Sequence, residues 1–419
     1  MTNIAINQQR LWDSIEAINR FGATPSGGVC RLEFSPENKQ ARDLFVRWCE
    51  EAGCRVRVDR FGNIFARRAG RDDALPAVIT GSHLDTQTSG GRFDGIYGLL
   101  AGLEVIRSLN EQGIETNAPL EVVVWTNEEG ELFKPMLGSA VWLGMEELES
   151  TLDMQEADGL TIRQGLENMG YLGEMPLNSY PVKAYFEAHI EQGPVLYDSS
   201  EVLGVVNCAQ KQYWYDLRLV GQEAHAGPTP MASRRDAMVA ASRMVLEFDR
   251  IGRAYENARS TCGHFEVYPN SRNTIPGEVR FTGDLRNPDP GLLEQMDAEM
   301  RSAVHAIAED MQVKLELSLH TTIDYVPFNS TLVNWVREAA VASGQAWREM
   351  VTGAGHDAVN IAQRYPTTMI FVPCKDGISH NPAEDALPEH LAAGASVLAT
   401  VMLRAANHAG SLEGPESQQ

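Results

Sequence analysis

The segment Gly81-Ser82-His83-Leu84-Asp85-Thr86 is followed within one short loop by Arg92-Phe93-Asp94-Gly95, so a histidine and two carboxylates gather just past the apolar run Ala77-Val78-Ile79-Thr80. That run reads as a buried strand, and open α/β sheets carry ligands in the crevice outside the carboxyl ends of their strands. An imidazole with carboxylates at that spot suits a borderline divalent metal such as zinc, manganese or cobalt. Taken alone, a His-x-Asp in a loop also fits a hydrogen-bonded surface pair. Trp125-Thr126-Asn127-Glu128-Glu129-Gly130 ends the strongest apolar run with two adjacent carboxylates. Neighbouring side chains on an extended segment point opposite ways, so one carboxylate can ligate a metal while the other faces substrate as a proton carrier. Glu187-Ala188-His189-Ile190-Glu191-Gln192-Gly193 ends another strand with a histidine between acids, and Gly377-Ile378-Ser379-His380-Asn381-Pro382 follows the last apolar strand. Each has a plain reading as a solvated strand end or a loop histidine. Four strand ends carrying His, Asp and Glu together point to a metal centre.

The elements that must position these residues follow from periodicity and punctuation. Helical spacing runs over 7–19 and from Pro36 to Gly53, two short strands cover 55–58 and 63–66, and a helix spans about 95–110. Buried strands at 77–80, 120–125 and 184–189, separated by helices, predict a mostly parallel sheet covered on both faces. Near Lys211 the style changes to a two-residue alternation over 214–220. A helix over 234–250, strands near 264–268 and 279–285, a helix over 290–310 and a strand at 313–317 then give the β-α-β-β-α-β order of a ferredoxin-like unit. The strand 368–372 and a helix over 387–406 return to the first style. The reading is an α/β catalytic domain, residues 1–211 and 325–409, interrupted by a smaller inserted α+β domain, 212–324. Residues 410–419 read as a disordered polar tail.

Composition narrows the function classes. At 419 residues, two domains are the expectation. A net charge of -22 opposes binding to nucleic acid or an anionic membrane. No apolar run approaches the ~20 residues of a membrane span, and the N-terminus lacks an export signal. Six cysteines scattered without a C-x-x-C favour reduced thiols in the cytoplasm over disulfides or a thiolate metal site.

From about Pro25 to about Ala406, these clusters resemble the co-catalytic, M20-like metallopeptidase-type amidohydrolases, closest to the hydantoinase/carbamoylase branch. That branch holds N-carbamoyl-L-amino-acid amidohydrolases, metal-dependent β-ureidopropionases and allantoate amidohydrolases. In the peptidase branches the ligand near position 189 is commonly an acid, and His189 points to the carbamoylase branch. The resemblance implies two divalent ions per subunit. His83, Asp94 and His189 would hold one, and Asp94 would bridge to the other, held by Glu129 and His380. Zinc is the first expectation, and the mixed donor set also accepts manganese, cobalt or nickel. Two such ions share a water, lower its pKa and polarise the scissile carbonyl. Glu128 would move that water's proton to the leaving nitrogen. Asp85 would accept the other N–H of His83 and fix its tautomer.

The substrate side is carried by the inserted domain, which the resemblance makes a lid and the contact surface of a homodimer. In Glu223-Ala224-His225-Ala226-Gly227-Pro228, His225 is the implied oxyanion donor, often reaching a neighbouring subunit's active site. Asn273 would bind substrate, and Arg286 would clamp its carboxylate through the planar guanidinium fork. Gln192 would contact the ureido group. Gly353-Ala354-Gly355-His356-Asp357 is a Gly-rich turn opening a helix, whose free backbone N–H groups, at Gly355 and His356, could hold the substrate carboxylate. It lacks the lysine of a phosphate loop. Closure of the inserted domain would bring His225, Asn273 and Arg286 toward the metals. Lys211 stands at the hinge where relatives often carry glycine. The implied reaction is hydrolysis of an N-carbamoyl-L-amino acid. The alternatives are N-carbamoyl-β-alanine or allantoate as substrate, then a dipeptidase or aminoacylase, and last a metal-binding scaffold without catalysis.

Overall fold

Four apolar runs, Leu120–Trp125, Ala77–His83, Val182–Ile190 and Thr367–Val372, lie side by side in that order as a parallel sheet. The first, second and fourth are buried along their whole length, as strands covered on both faces must be. Antiparallel strands border this core. Arg55–Val58 and Ile64–Arg68 form a hairpin whose second strand pairs with Leu120–Trp125, and Leu203–Ala209 pairs with Thr367–Val372 on the other side. The protein is thus a mixed α/β chain around a mostly parallel sheet. Its structure, a computed structural model, describes residues 4–156 and 159–414.

The helices Ile96–Glu111 and Pro388–Asn407 pack on each other and on the sheet. The first is buried at nearly every position, consistent with the apolar and small residues that fill it from Ile96 to Leu103. It starts at Gly95, whose φ of +67 suits glycine and where a Cβ would collide with the His83 ring. That glycine is therefore fixed twice, by the turn and by the imidazole. Asn329 caps the helix Ser330–Ser343, and its side-chain amide donates to the Glu413 carbonyl at 2.8 Å. The chain is thus tied down as far as that point, while 415–419, the end of the expected tail, lie outside the described residues.

The chain divides into two units, Met1–Asn207 with Pro327–Gln419, and Cys208–Val326. The second is an antiparallel sheet with the strands Phe265–Tyr268, Glu278–Asn287, Lys211–Val220 and Lys314–Ile323 in that order. With Ala237–Ala254 and Pro290–Asp310 it follows the ferredoxin-like order. These two helices bury one sheet face through Tyr215, Leu217, Leu219, Phe281, Met244 and Met300. The alternating burial of Glu278–Asn287 leaves the opposite face to charged and polar side chains. At the entry to this unit Lys211 packs its ammonium 5.2 Å from the Tyr213 ring centroid. Among the described residues no helix is long and apolar enough to cross a membrane, and all six cysteines are free.

Candidate metal centre

Each of the four parallel strands delivers a donor at or beyond its carboxyl end. His83 is the last residue of its strand and pairs in register with Trp125, three residues before Glu128. His189 sits one residue inside the end of Val182–Ile190, and His380 follows Thr367–Val372 across a turn. Asp94 lies between the His83 strand and the helix that begins at Ile96. The crevice outside strand ends is thus where imidazoles and carboxylates meet.

Asp94 is the centre of the arrangement. Its Oδ1 lies 3.1 Å from His189 Nε2 and 3.6 Å from His83 Nε2, while Oδ2 lies 3.2 Å from His380 Nε2. His380 Nε2 is also 3.5 Å from Glu129 Oε2. Two trios result, His83–Asp94–His189 and Asp94–Glu129–His380, each with its potential ligand atoms within 4.8 Å of one another. The two carboxylate oxygens face different trios, which is the geometry of a bridging ligand.

The ring nitrogens test whether divalent ions suit this set. His83 Nδ1 lies 2.9 Å from the Asp85 carbonyl and His189 Nδ1 2.8 Å from the Ile190 carbonyl. A carbonyl only accepts, so Nδ1 carries the proton and a neutral ring presents its Nε2 lone pair to Asp94. Lone pairs facing a buried carboxylate repel unless a cation stands between them. The electrostatics agree. Burial opposes charge on Asp94, yet the facing His189, His380 and His83 imidazoles hold its carboxyl well below the usual range. Burial likewise opposes charge on His83, but the surrounding Glu128, Asp94, Asp85 and Glu129 raise its pKa well above that of free imidazole. The set calls for positive charge at its centre, and divalent ions fit it.

Past the strand end, in the bend after Asn127, Glu128 and Glu129 meet different partners. Glu128 Oε2 approaches His83 Nε2 at 3.5 Å, whereas Glu129 Oε2 accepts from Gln87 Nε2 at 2.6 Å beside His380. Burial, reinforced by the Asp357, Glu129 and Asp85 charges, pushes Glu128 well above the carboxylate range, and burial with Asp94 brings Glu129 up to about 7. The turn before them is clamped from afar. The fully buried Arg42 pairs with Glu33 at 3.0 Å and donates to Thr126, while Glu33 accepts from the Asn127 N–H at 2.9 Å. Asn127, Gln192 and His380 all adopt left-handed backbone, with φ of +57, +58 and +52. Such conformations cost energy and gather where surrounding bonds over-determine them.

Two expected contacts are drawn differently. The acceptor for His83 Nδ1 is the main-chain carbonyl of Asp85, with its carboxylate 3.7 Å away. That carboxylate instead accepts the Glu129 N–H at 3.0 Å, because the loop turns its side chain toward the neighbouring strand end. Asp85 therefore touches both trios, orienting one through its backbone and the other through its side chain. At the Gly-rich turn, the Ala358 N–H of the helix start donates to Glu187 Oε2 at 3.0 Å, and the buried Asp357 carboxylate sits at the same terminus. The chain's own acids thus use part of the anion seat expected near Gly355 and His356. His356 is itself buried, its ring 4.5 Å from that of His189. Glu187, His189 and His356 form a third close group, but both Glu187 oxygens already accept, from Ser82 at 2.9 Å and from Ala358. This group supports the His189 ring from behind.

Gln192 reaches the bridging carboxylate, donating to Asp94 Oδ2 at 2.9 Å. The other expected substrate donors lie in the second unit. His225 and Thr274 face each other in a two-residue antiparallel bridge, which sets Asn273 beside the His225 segment through the 2.9 Å bond from Ala226 N to Asn273 O. The Gly227 N–H donates to His225 Nδ1 at 3.1 Å, so the ring proton sits on the exposed Nε2 as a donor. Arg286 is paired side-on with Asp284, Nη2 to Oδ2 at 2.6 Å. Glu384, which no local pattern marks, is almost fully buried and bonds to the Asp94 loop. Only its position four residues after His380, in Asn381-Pro382-Ala383-Glu384, hints at it.

Residues 79–404 match the sequence profile of peptidase family M20/M25/M40. An N-carbamoyl-L-amino-acid amidohydrolase of Rhizobium meliloti is 42% identical over 96% of this chain and 98% of the relative. An allantoate amidohydrolase of Escherichia coli is 34% identical over 95% and 98%. The crystal structure of a hydantoinase/carbamoylase family amidase from Burkholderia multivorans superposes with a TM-score of 0.94 at 51% identity, covering 97% of this chain and 100% of that one.

Proposed function

The chain belongs to peptidase family M20/M25/M40 and to its hydantoinase/carbamoylase branch, and on that premise we propose that it hydrolyses the ureido C–N bond of an N-carbamoyl-L-amino acid. One water and the substrate give the free amino acid, carbon dioxide and ammonia. The observation that carries the chemistry is Asp94, whose two oxygens face two separate donor trios. His83, Asp94 and His189 would hold one divalent ion, and Asp94, Glu129 and His380 the other, with zinc the first choice and manganese, cobalt or nickel compatible. When bound, such ions polarise a carbonyl and acidify water.

The chain's own groups supply the rest. Glu128 removes a proton from the attacking water at its carboxylate and delivers it to the leaving nitrogen. Its raised pKa and its place beside His83 support that role. Asp85 orients His83 and Glu129. His225 Nε2–H serves the developing oxyanion, Asn273 binds substrate, Gln192 contacts the ureido group, and Arg286 meets the carboxylate with Gly355 and His356. Homodimer formation through the inserted unit is supported by four exposed apolar side chains, Met231, Met238, Val239 and Leu246. Six free thiols suit a reducing cytoplasm.

An ammonia-release assay across N-carbamoyl-L-α-amino acids, N-carbamoyl-β-alanine and allantoate tests the proposal. Turnover is expected to be fastest on an N-carbamoyl-L-α-amino acid. Faster turnover of allantoate or of the β-amino substrate would replace the proposed substrate with that compound.

A further inference from the structure

Glu384 is 2% exposed, yet it belongs to neither donor trio. Its Oε1 accepts from two consecutive main-chain N–H groups, Phe93 at 2.7 Å and Asp94 at 3.2 Å. Its Oε2 accepts from the Ser379 hydroxyl at 2.8 Å, and that hydroxyl lies 3.2 Å from Asp94 Oδ2. Ser379 directly precedes His380, and the Glu384 N–H closes the same loop onto the Asn381 carbonyl at 3.0 Å. One carboxylate therefore joins the loop after the Ala77–His83 strand to the loop after Thr367–Val372, across 290 positions of sequence. Gly91 makes room for it, since a Cβ there would collide with the Glu384 carboxylate.

We propose that Glu384 is the positioning residue of the second ion's site, holding Asp94 and His380 at the spacing that Asp94, Glu129 and His380 need to share a cation. The inference rests on the two-ion reading above. Three features suit the long side chain of Glu384, with its two terminal polar atoms, to this position. It offers one oxygen to a pair of parallel N–H donors and the other to a hydroxyl. It reaches from the His380 loop with enough length to span the gap. It also holds Ser379, the residue before the half-exposed His380, whose backbone is left-handed. His83 and His189 have their own carbonyl acceptors and do not depend on it.

The test is a metal titration rather than turnover. Metal-free parent, Glu384→Ala, Glu384→Gln and Gly91→Ala are titrated with Zn2+ against a chromophoric chelator, and the Co2+ forms are compared by visible absorption. Loss of an outer hydrogen-bond partner weakens a metal site by roughly 10–100-fold. Glu384→Ala should weaken one ion by that amount and the other, which shares only Asp94, far less, altering part of the Co2+ spectrum. Glu384→Gln keeps an oxygen for the two N–H groups and should restore affinity close to the parent's. Gly91→Ala leaves every donor in place but displaces Glu384, and should reproduce the alanine variant even if that variant folds poorly. Parental affinity for both ions in Glu384→Ala or Gly91→Ala overturns the proposal. So does equal weakening of both ions without rescue by glutamine, the mark of a general structural role. A parent that takes up fewer than two ions overturns the two-ion reading, and this inference with it.

Discussion

The two units hold their functional side chains in opposite ways. Around the four parallel strands, His83, Asp94 and His189 are buried and converge from distant parts of the chain: both imidazoles face Asp94, which accepts from Gln192 and donates its N–H to Glu384. In residues 208–326, the side chains of His225, Asn273 and Arg286 meet close sequence neighbours: His225 accepts from Gly227, Asn273 from Ser271, and Arg286 donates to Asp284. A metal site needs donors fixed before the ion arrives, because misplaced charges in a dry site are costly. A group that meets a substrate can afford local support, since it works only when the substrate is present. The contrast predicts that damage to the first region removes catalysis or the fold, while damage to the second changes binding and rate with the metals still in place.

The largest effects should come from the centre itself. Chelation should abolish ammonia release and a divalent metal should restore it; an enzyme indifferent to chelators would break the comparison at its root. Glu128→Gln should lower kcat by roughly 10²–10⁴-fold while elemental analysis finds the parental metal content. Turnover retained by this variant would move the proton carrier elsewhere. In the second unit, His225→Ala should lower kcat by roughly 10²–10³-fold, the range for one oxyanion donor, with metal content and thermal midpoint unchanged. Loss of metal in that variant would show that the two regions are not independent.

Stability sharpens the same contrast. Arg42→Ala strands the Glu33 carboxylate in a dry interior, and breaking such a pair destabilises by roughly 3–5 kcal/mol. Because Glu33 also holds the Asn127 turn, the variant should misplace Glu128 and Glu129 as well. Removing Arg218, whose pairs with Glu278 and Glu316 lie on the open sheet face, should shift the denaturant midpoint far less. Equal shifts would mean that the second unit's surface charges carry more of its stability than their exposure suggests.

Sequence made the candidate site legible because type and place coincide. His83, Asp94, Glu128, Glu129, His189 and His380 are chemically distinctive residues at the ends of apolar runs, and a sheet gathers strand ends. The long helices were legible for the same reason, since Pro290–Asp310 carries both its punctuation and its period. Leu203–Ala209 was harder to separate, because only Gln210 divides it from the next strand and no turn residue marks the break. The short helices Leu137–Leu143 and Leu148–Leu152 are too brief to show a period. Glu384, Arg42 and Glu33 were illegible for a different reason. They act on backbone groups remote in sequence, and a backbone N–H looks alike at every position. The acceptor on His83 shows the same limit: the sequence points to the Asp85 side chain, while the loop supplies the Asp85 carbonyl.

The smallest effects should appear where the second unit meets solvent or substrate without building the metal site. Arg286→Ala removes a charged donor from the proposed substrate carboxylate. Hydrogen bonds to charged groups contribute roughly 1.5–3 kcal/mol, so KM should rise about tenfold to a hundredfold with kcat largely kept. An equal fall in kcat would mean that the guanidinium acts on the reacting group as well. Leu246→Glu, at one of these exposed apolar positions, should leave the fold intact, since its side chain is 68% exposed in this chain. If these positions join two copies, a buried charge among them should convert dimers to monomers in sedimentation. A His225 supplied by the neighbouring copy would then lose its target, and kcat should fall with dimer content as the protein is diluted. A fully active monomer would place His225 in its own subunit's reaction, making the second unit a lid that needs no partner.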